Sequence, residues 1–506
     1  MRSTFGGLNT MVRGLYGNQV SLDTVGNNIT NAATPGYSRQ SVNLATTRPQ
    51  TMPGIYGDFK IGTGVDVDSV VRARDTFADR QYWKENSNLS NATTQQYTLS
   101  KIESVFQEPT ETGLQTVMNA FYKSWQTLST NAGEYSNRVV VRDTGKQLVN
   151  SMSHIKTQLD DLIADNNTQL SLQKDMINQT LEQILSLNKQ IVTLEAGSNG
   201  WANDLRDQRD LLVDNLSGYM KVNVTELSNG AYNVTCGGTT IVDGNSRLEM
   251  DTKVTTDPEY NIPMYTLVEK STGIAMDVKD GSIQGIYDSM DNIKGYLDQM
   301  TTMTAFLLND FNEQHKAGYG VNDDTGINFF GENGKDYSTL EYNKATGKWN
   351  LGGNEISKVD ILNSLQVNST FDETGGTDKI AAKTKASTGT DTEDTASGAN
   401  ASLLGDLLQV PTSNATLGNK SMSGYYTGMI GQLGIQSQEA ERNVTNQETI
   451  VSQVEGWRQQ VCGVNWDEEL SNMIKFNKGY SACSRCLTTM DEMLDKLINS
   501  TGTVGR

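Results

Sequence analysis

Both ends of this chain carry an apolar seam written in steps of three and four residues. Near the C-terminus Phe476, Tyr480, Cys483, Leu487, Met490, Leu494 and Leu497 follow one another by 4-3-4-3-4-3. Near the N-terminus Phe5, Leu8, Val12, Leu15, Leu22 and Ile29 fall on a similar grid, interrupted by Gln19 and Gly26. Such a stripe makes a narrow helical face that wants a partner helix. Each end is short and has no other surface to bury against. The spacing therefore predicts that the two ends pack with each other and with neighbouring copies.

Composition narrows the class of function. The chain has 506 residues, enough for several domains, and 36% of them are hydrophobic. Its formal charge is −19, from 60 acidic and 41 basic residues, which repels nucleic acid and anionic membranes. No apolar run is long enough to span a membrane. Met1 to Thr10 lack the apolar stretch of a cleaved signal peptide, so an extracellular location requires another export route. No nucleic-acid or membrane partner is expected.

Cysteine and histidine are scarce. Cys483 and Cys486 form a C-x-x-C, but it lies inside the seam with no second pair and no nearby histidine, so two small apolar side chains on a helix face is the reading. Cys236 and Cys462 stand apart from it. His154 and His315 sit in no metal-ligand spacing and read as helix-surface or interface residues. Gly62 and Gly64 lack the third glycine of a dinucleotide fingerprint and read as a strand-edge turn. No catalytic residue, metal or cofactor is assigned.

The pattern along the chain gives a mainly α protein with β-rich insertions. Its N- and C-terminal helices pair as a coiled coil or bundle, and α+β and β modules lie between them. Residues 1–75 read as a helix, a turn and a strand arm. The helix stops at Thr34-Pro35-Gly36-Tyr37, which suits a type II turn. Asn27, Asn28 and Asn31 read as residues that cap the helix end and satisfy loop backbone. Residues 76–200 read as long helices, with Leu148, Met152, Ile155, Leu159 and Leu162 on one grid, and Ile177, Leu181, Ile184, Ile191 and Leu194 resuming it after a polar stretch. Residues 201–345 contain a β module, signalled by Asn229-Gly230 between alternating strands, and a helix at 286–317. Residues 346–420 form a variable domain or loop, in which the Thr-, Gly- and Ser-rich stretch 372–400 reads as a flexible linker. Helical seams return over 421–506 and complete the axial core.

Several motifs resemble one family. Asn27-Asn28-Ile29-Thr30-Asn31-Ala32-Ala33-Thr34-Pro35-Gly36-Tyr37 is similar to the N-terminal signature of the bacterial flagellar axial proteins of rod, hook and hook-associated type. Ser38-Arg39-Gln40 resembles the hook-associated branch more than hook or rod proteins. Four segments agree with it: Gly62-Thr63-Gly64-Val65 on to Arg72, Phe77, Arg80 and Gln81; Asn203-Asp204-Leu205-Arg206-Asp207-Gln208-Arg209-Asp210; Phe311-Asn312-Glu313-Gln314-His315-Lys316-Ala317-Gly318-Tyr319; and Gly463-Val464-Asn465-Trp466-Asp467-Glu468-Glu469-Leu470. Cys483, Ser484 and Cys486 depart from the small or aliphatic residues expected there, and residues 331–420 offer no motif that supports the resemblance.

The resemblance implies a structural protein of the extracellular flagellum, exported unfolded without a cleaved signal. It implies self-assembly into a ring at the hook–filament junction. The hook protein and the next junction protein would be neighbours, and a cytoplasmic export chaperone would hold the C-terminal helix. Scarce cysteine suits a chain threaded through a narrow channel. The matching expectation from the residues is assembly by coupled folding, with terminal helices that become ordered only against partners. The alternatives are a hook or rod protein, an adhesin in the middle domains, or an enzyme inserted there. The long helices at 140–196 and the Gly-Tyr-Ser-Arg-Gln motif weigh against the first. Residues 201–420 hold only His315, which weighs against a metallopeptidase.

Overall fold

One helix of 61 residues, Tyr135–Glu195, runs about 90 Å through the molecule and carries both of its cores. In this computed structural model the described residues are 6–55, 57–107, 113–197, 200–387, 397–411, 413–414 and 416–500. The chain begins with α1 (Gly6–Asn31), followed by short strands β1 (Gln40–Thr46), β2 (Gln50–Met52), β3 (Phe59–Ile61) and β4 (Val65–Arg72). Helices α2 (Thr76–Phe106), α3 (Leu114–Thr130), α4 (Tyr135–Glu195) and α5 (Asn203–Tyr219) come next. Strands β5 (Val222–Glu226), β6 (Tyr232–Cys236), β7 (Thr239–Asp243) and β8 (Ser246–Arg247) form a four-stranded meander. A hairpin of β9 (Met250–Thr256) and β10 (Pro263–Glu269) leads into α6 (Ser282–Phe306). One π turn, Leu307–Phe311, joins α6 to α7 (Asn312–Ala317). A small sheet of β11 (Glu341–Asn343), β12 (Lys348–Leu351) and β13 (Asn354–Ile356) is followed by α8 (Lys358–Asn363) and α9 (Ala399–Gln409). The chain then returns through α10 (Met422–Cys462) and α11 (Trp466–Ser500).

Local signals set the element boundaries. Asp75 caps α2 by accepting from the Phe77 backbone N–H at 2.8 Å. Gly36 has φ +79° and the Tyr37 N–H donates to the Thr34 carbonyl at 3.2 Å, as a type II turn requires. Asn229-Gly230 turns the β5–β6 hairpin, with Gly230 at φ +83°. Gly64, at φ +107°, ends the loop into β4, and its carbonyl accepts from the Thr47 N–H.

Two apolar cores share α4. One gathers Leu170, Ile177, Leu181 and Ile184 of α4 with Val213 and Leu216 of α5, the β5–β10 strands, and Ile283, Ile286 and Met290 of α6. The other gathers Leu148, Met152, Leu159 and Ile163 of α4 with α3, the second half of α6, and residues of 329–433. Its centre is aromatic: Phe121, Trp125, Phe311, Phe329 and Phe330 meet edge to face or tilted, with centroids 4.8–6.0 Å apart.

Several features go beyond the sequence reading or differ from it. Asparagines of α4, one in the polar stretch and two on the resumed grid, turn toward the strands. Asn167 accepts from the Tyr265 N–H and donates to the Pro263 carbonyl; Asn178 and Asn188 do the same to both backbone groups of Met250 and Tyr232. Each amide satisfies one backbone donor and one acceptor that the sheets leave open. Leu194, counted on the grid, is instead 60% exposed, because the buried face has already ended at Ile191.

The stretch 372–400, read as linker, is anchored at many of its described residues. Ile380, Ala382 and Lys383 are buried, the Tyr319 and Lys383 backbones pair, and the Arg138 guanidinium donates to the Ile380 carbonyl. Small side chains let this strand-like segment lie close against α7, and residues 388–396 fall outside the described residues. His315, read as a surface or interface residue, is fully buried. Its Nδ1–H donates to the Ile327 carbonyl at 2.7 Å and its Nε2 accepts from the Ala381 N–H at 3.0 Å. His154 lies exposed on α4.

Candidate assembly arm and the polar joint at its base

Helices α1 and α11 pack antiparallel, as the two seams require. Gly7 lies against Met490, Gly14 against Cys483 and Asn18 against Gly479, while Asn28 donates to Glu469. Going up α1 is going down α11. A Cβ on Gly14 would sit 3.2 Å from the Cys483 Sγ, and one on Gly7 would overlap the Met490 methyl. The line of α1 that faces inward is therefore built of small or polar residues: Gly7, Gly14, Ser21 and Asn28 recur every seven positions. Ser21 returns its hydroxyl to the Gly17 carbonyl, so the close contact leaves no donor unsatisfied.

The bulky residues of the predicted α1 seam ride beside this line. Leu8, Leu15, Leu22 and Ile29 are half-buried, Val12 is 46% exposed, and Phe5 lies outside the described residues. On α11, Phe476, Cys483, Leu487, Met490 and Leu494 are half-buried, while Tyr480 and Leu497 are exposed. Among the described residues α1 buries one large apolar side chain, Val25, and α11 buries none. The outer faces instead display Tyr16 of α1, Trp457 and Val461 of α10, and Trp466, Leu470 and Ile474 of α11. The thiols of Cys483 and Cys486 are free, the first against Gly14 and the second in solvent.

The arm of α1, β1–β4 and α11 meets the body at a polar joint. Asn28 is its keystone. Its Nδ2 donates to the Gln40 carbonyl (2.9 Å) and to Glu469 (3.0 Å), and its Oδ1 accepts from Tyr37 Oη (2.8 Å) and the Gln40 N–H (2.9 Å). Both donors and both acceptors of a 1% exposed amide are thus used. Asn27 and Asn31 bond each other and cap the helix end locally, and Gly36 lets the turn touch Leu211 of α5. Pro35 is exposed and fixes the reversal. Arg39 bonds Glu468 and Glu469 at the start of α11, where Asn465 caps the helix.

Below this lies a buried charge cluster. Arg72 bonds Asp207 (2.6 Å) and Asp210 (2.8 Å); Arg74 bonds Asp79 (2.8 Å); Arg458 bonds Asp214 (2.7 Å). Every one of these side chains is 12% exposed or less. The Ser38 N–H donates to Asp207, Tyr232 Oη to Asp210 and Trp83 Nε1 to Asp214, so the carboxylates are held from several elements. Burial pushes the Asp79, Asp207 and Asp214 carboxyls above their ordinary range, only partly offset by the arginines beside them. Burial acts on Asp210 too, but Arg74 and Arg72 outweigh it, and its pKa lies below the ordinary value.

Three of the segments quoted for the family resemblance, with Arg72 of a fourth and without Phe311–Tyr319, converge in space. The Asn-rich turn, Arg72, the Asp204–Asp210 run and Glu468-Glu469 all meet here, together with Arg74, Asp79, Asp214 and Arg458, which sequence reading passed over. An Asp and an Arg more than a hundred residues apart carry no pairing signal. Among the described residues no cluster of His, Cys, Asp or Glu could hold a metal ion, and no helix is long and apolar enough to cross a membrane. The arrangement joins an arm with exposed apolar side chains to a well-packed body.

Comparison with known proteins agrees. A family model described as the flagellar hook-associated protein FlgK helical domain matches residues 99–330, and one described as the flagellar basal body rod FlgEFG protein C-terminal matches residues 461–500. The chain is 32% identical to flagellar hook-associated protein 1 of Bacillus subtilis (strain 168) over the whole of both chains. It is 28% identical to that of Escherichia coli (strain K12), over 97% of this chain and 99% of the other. The solved structure of the flagellar hook junction protein FlgK from Burkholderia pseudomallei shares the fold, with a TM-score of 0.61 at 16% identity, over 76% of this chain and all of that one.

Proposed function

Because the chain belongs to the flagellar hook-associated protein 1 family, we propose that it forms the junction between hook and filament by self-assembly through its arm. The role is structural, with no catalytic step. The observation that carries this reading is the contrast in burial. Apolar side chains fill two cores in the body, but after Cys462 no described apolar side chain is buried. A 35-residue α11 held chiefly through α1, with Arg39 bonding its first turn, gains little from burial and loses the full conformational entropy of ordering. Neighbouring arms that cover Trp466, Leu470 and Ile474 would each add roughly 1.5–3 kcal/mol per large side chain. The assembly interface is then the predicted seam residues Phe5, Leu8, Val12, Leu15, Leu22, Ile29, Phe476, Tyr480, Cys483, Leu487, Met490, Leu494 and Leu497, with the outer residues of α11 added.

Neighbours in this reading are further copies of the chain, hook subunits and the next junction protein. Its place is the extracellular flagellum, reached without a cleaved signal, with an export chaperone on α11 beforehand. The test is incorporation. Ile474→Asp, on the outer face, and Leu487→Asp, on the seam, should each leave the thermal unfolding of the body unchanged and abolish joining of filament to hook. Normal motility and normal junctions in either variant would refute the proposal.

A further inference from the structure

The sequence contains the dipeptide Asn-Gly at 199–200, 229–230 and 333–334. This pair is prone to deamidation, since the glycine nitrogen can reach the asparagine Cγ with no side chain in the way. The nitrogen attacks Cγ, ammonia leaves, and a cyclic imide forms. Water then opens the imide to aspartate or isoaspartate, so the net change is amide plus water to acid plus ammonia. The step needs no oxidant and no second protein. It needs a glycine N–H that is not held and an asparagine side chain free to turn toward it.

The structure separates two of the three sites. At 229–230 both requirements fail. The Gly230 N–H donates to the Leu227 carbonyl at 2.9 Å, and the Asn229 Oδ1 accepts from the Ala231 N–H at 3.1 Å. Gly230 is moreover packed under the paired side chains of Arg206 and Glu195. At 333–334 both requirements are met. The Lys335 N–H donates to the Glu332 carbonyl at 3.2 Å, which makes Asn333 and Gly334 the two central residues of a turn. Their peptide faces solvent: Asn333 and Gly334 are exposed, and neither the Asn333 side chain nor the Gly334 N–H has a partner among the described residues. Gly334 has φ +79°, and a Cβ there would meet nothing within 4 Å. Asn199 lies outside the described residues.

We infer that Asn333 is a site of spontaneous deamidation in the folded protein, and that Asn229, with the same neighbour, is protected by its turn. The product adds a negative charge between Glu332 and Asp336, in a turn whose ends are fixed. Gly331 donates to the Gln366 carbonyl, and the Lys335 carbonyl accepts from Asn328 at 2.7 Å. An isoaspartate would insert a backbone methylene between those anchors, beside Tyr337, which is 1% exposed and packs on Gly331.

The experiment is peptide mapping by mass spectrometry of the full chain aged in mildly alkaline buffer, native and in concentrated urea. In the native chain Asn333 should convert on the order of ten times faster than Asn229, which is what freeing one held N–H adds to a barrier. In urea the two rates should converge, because only the sequence is left to act. Asn333→Gln should remove the share of ammonia release that tracks loss of Asn333 in the peptide map and leave Asn229 unchanged. Equal native rates, or faster loss at Asn229, would overturn the inference. So would a native difference that persists undiminished in urea.

Discussion

Arg458→Met would test the polar joint where its charge is most exactingly balanced. The buried cluster holds three arginines, 72, 74 and 458, against four aspartates, 79, 207, 210 and 214, a balance of 3 − 4 = −1. Methionine keeps an unbranched apolar stem but removes the guanidinium that lies over the Tyr82 ring and 2.7 Å from Asp214, and the balance becomes 2 − 4 = −2. Asp214 is left buried with the Trp83 N–H as its remaining side-chain donor. Removing one partner of a buried pair costs roughly 3–5 kcal/mol. Urea unfolding at neutral pH should show that loss.

Two refinements distinguish an uncompensated charge from simple damage. Asp214→Asn added to Arg458→Met should recover most of the stability, because the stranded charge is gone. Acid should also narrow the gap. Burial already raises the folded pKa of Asp214 above its unfolded value, and losing Arg458 raises it further. The folded variant then takes up a proton at a pH where the unfolded chain does not, so its relative stability rises as pH falls toward the ordinary carboxylate range. A single variant within about 1 kcal/mol of the parent, or a double variant no better than the single, would refute the charge balance as the basis of the joint.

Two further perturbations address the body. His315 is fully buried, and desolvation lowers its pKa from 6.5 to about 4. The unfolded chain therefore binds this proton first. Stability is full above pH 6.5 and falls as pH drops toward 4, by up to about 3 kcal/mol, and His315→Gln should flatten that slope in urea midpoints measured against pH. Asn188→Leu would strand the buried backbone N–H and carbonyl of Tyr232, and should cost about 1–3 kcal/mol for each group left unsatisfied, read from urea unfolding.

Much of the architecture is written locally and was readable. The paired terminal helices, the stop at Thr34-Pro35-Gly36-Tyr37 and the Asn229-Gly230 hairpin each rest on a few neighbouring residues. The exact face of α1 was not readable, because hydropathy counts Leu15 and Leu22 and ignores Gly7 and Gly14, whose smallness is what admits α11. The role of Asn167, Asn178 and Asn188 was hidden for a related reason. An amide looks solvated in sequence, and only the strand backbones brought from residues 232–265 show what it satisfies. The segment 376–383 was read as linker because the stretch 372–400 around it is rich in small and polar residues, yet its apolar Ile380, Ala381 and Ala382 are buried and the Ala381 N–H meets His315. The joint was the least legible part, since Arg72 meets Asp207 across 135 residues and Arg458 meets Asp214 across 244.

On the proposed function the arm is an incomplete surface and the body a complete one. Hydrogen exchange measured residue by residue on the free chain and on the same chain in assembled junctions tests it directly. Amides of α1 and α11 should exchange much faster than those of α4 in the free chain and slow by orders of magnitude on assembly, while α4 barely changes. Arm amides as protected as α4 in the free chain, or unchanged once assembled, would contradict it.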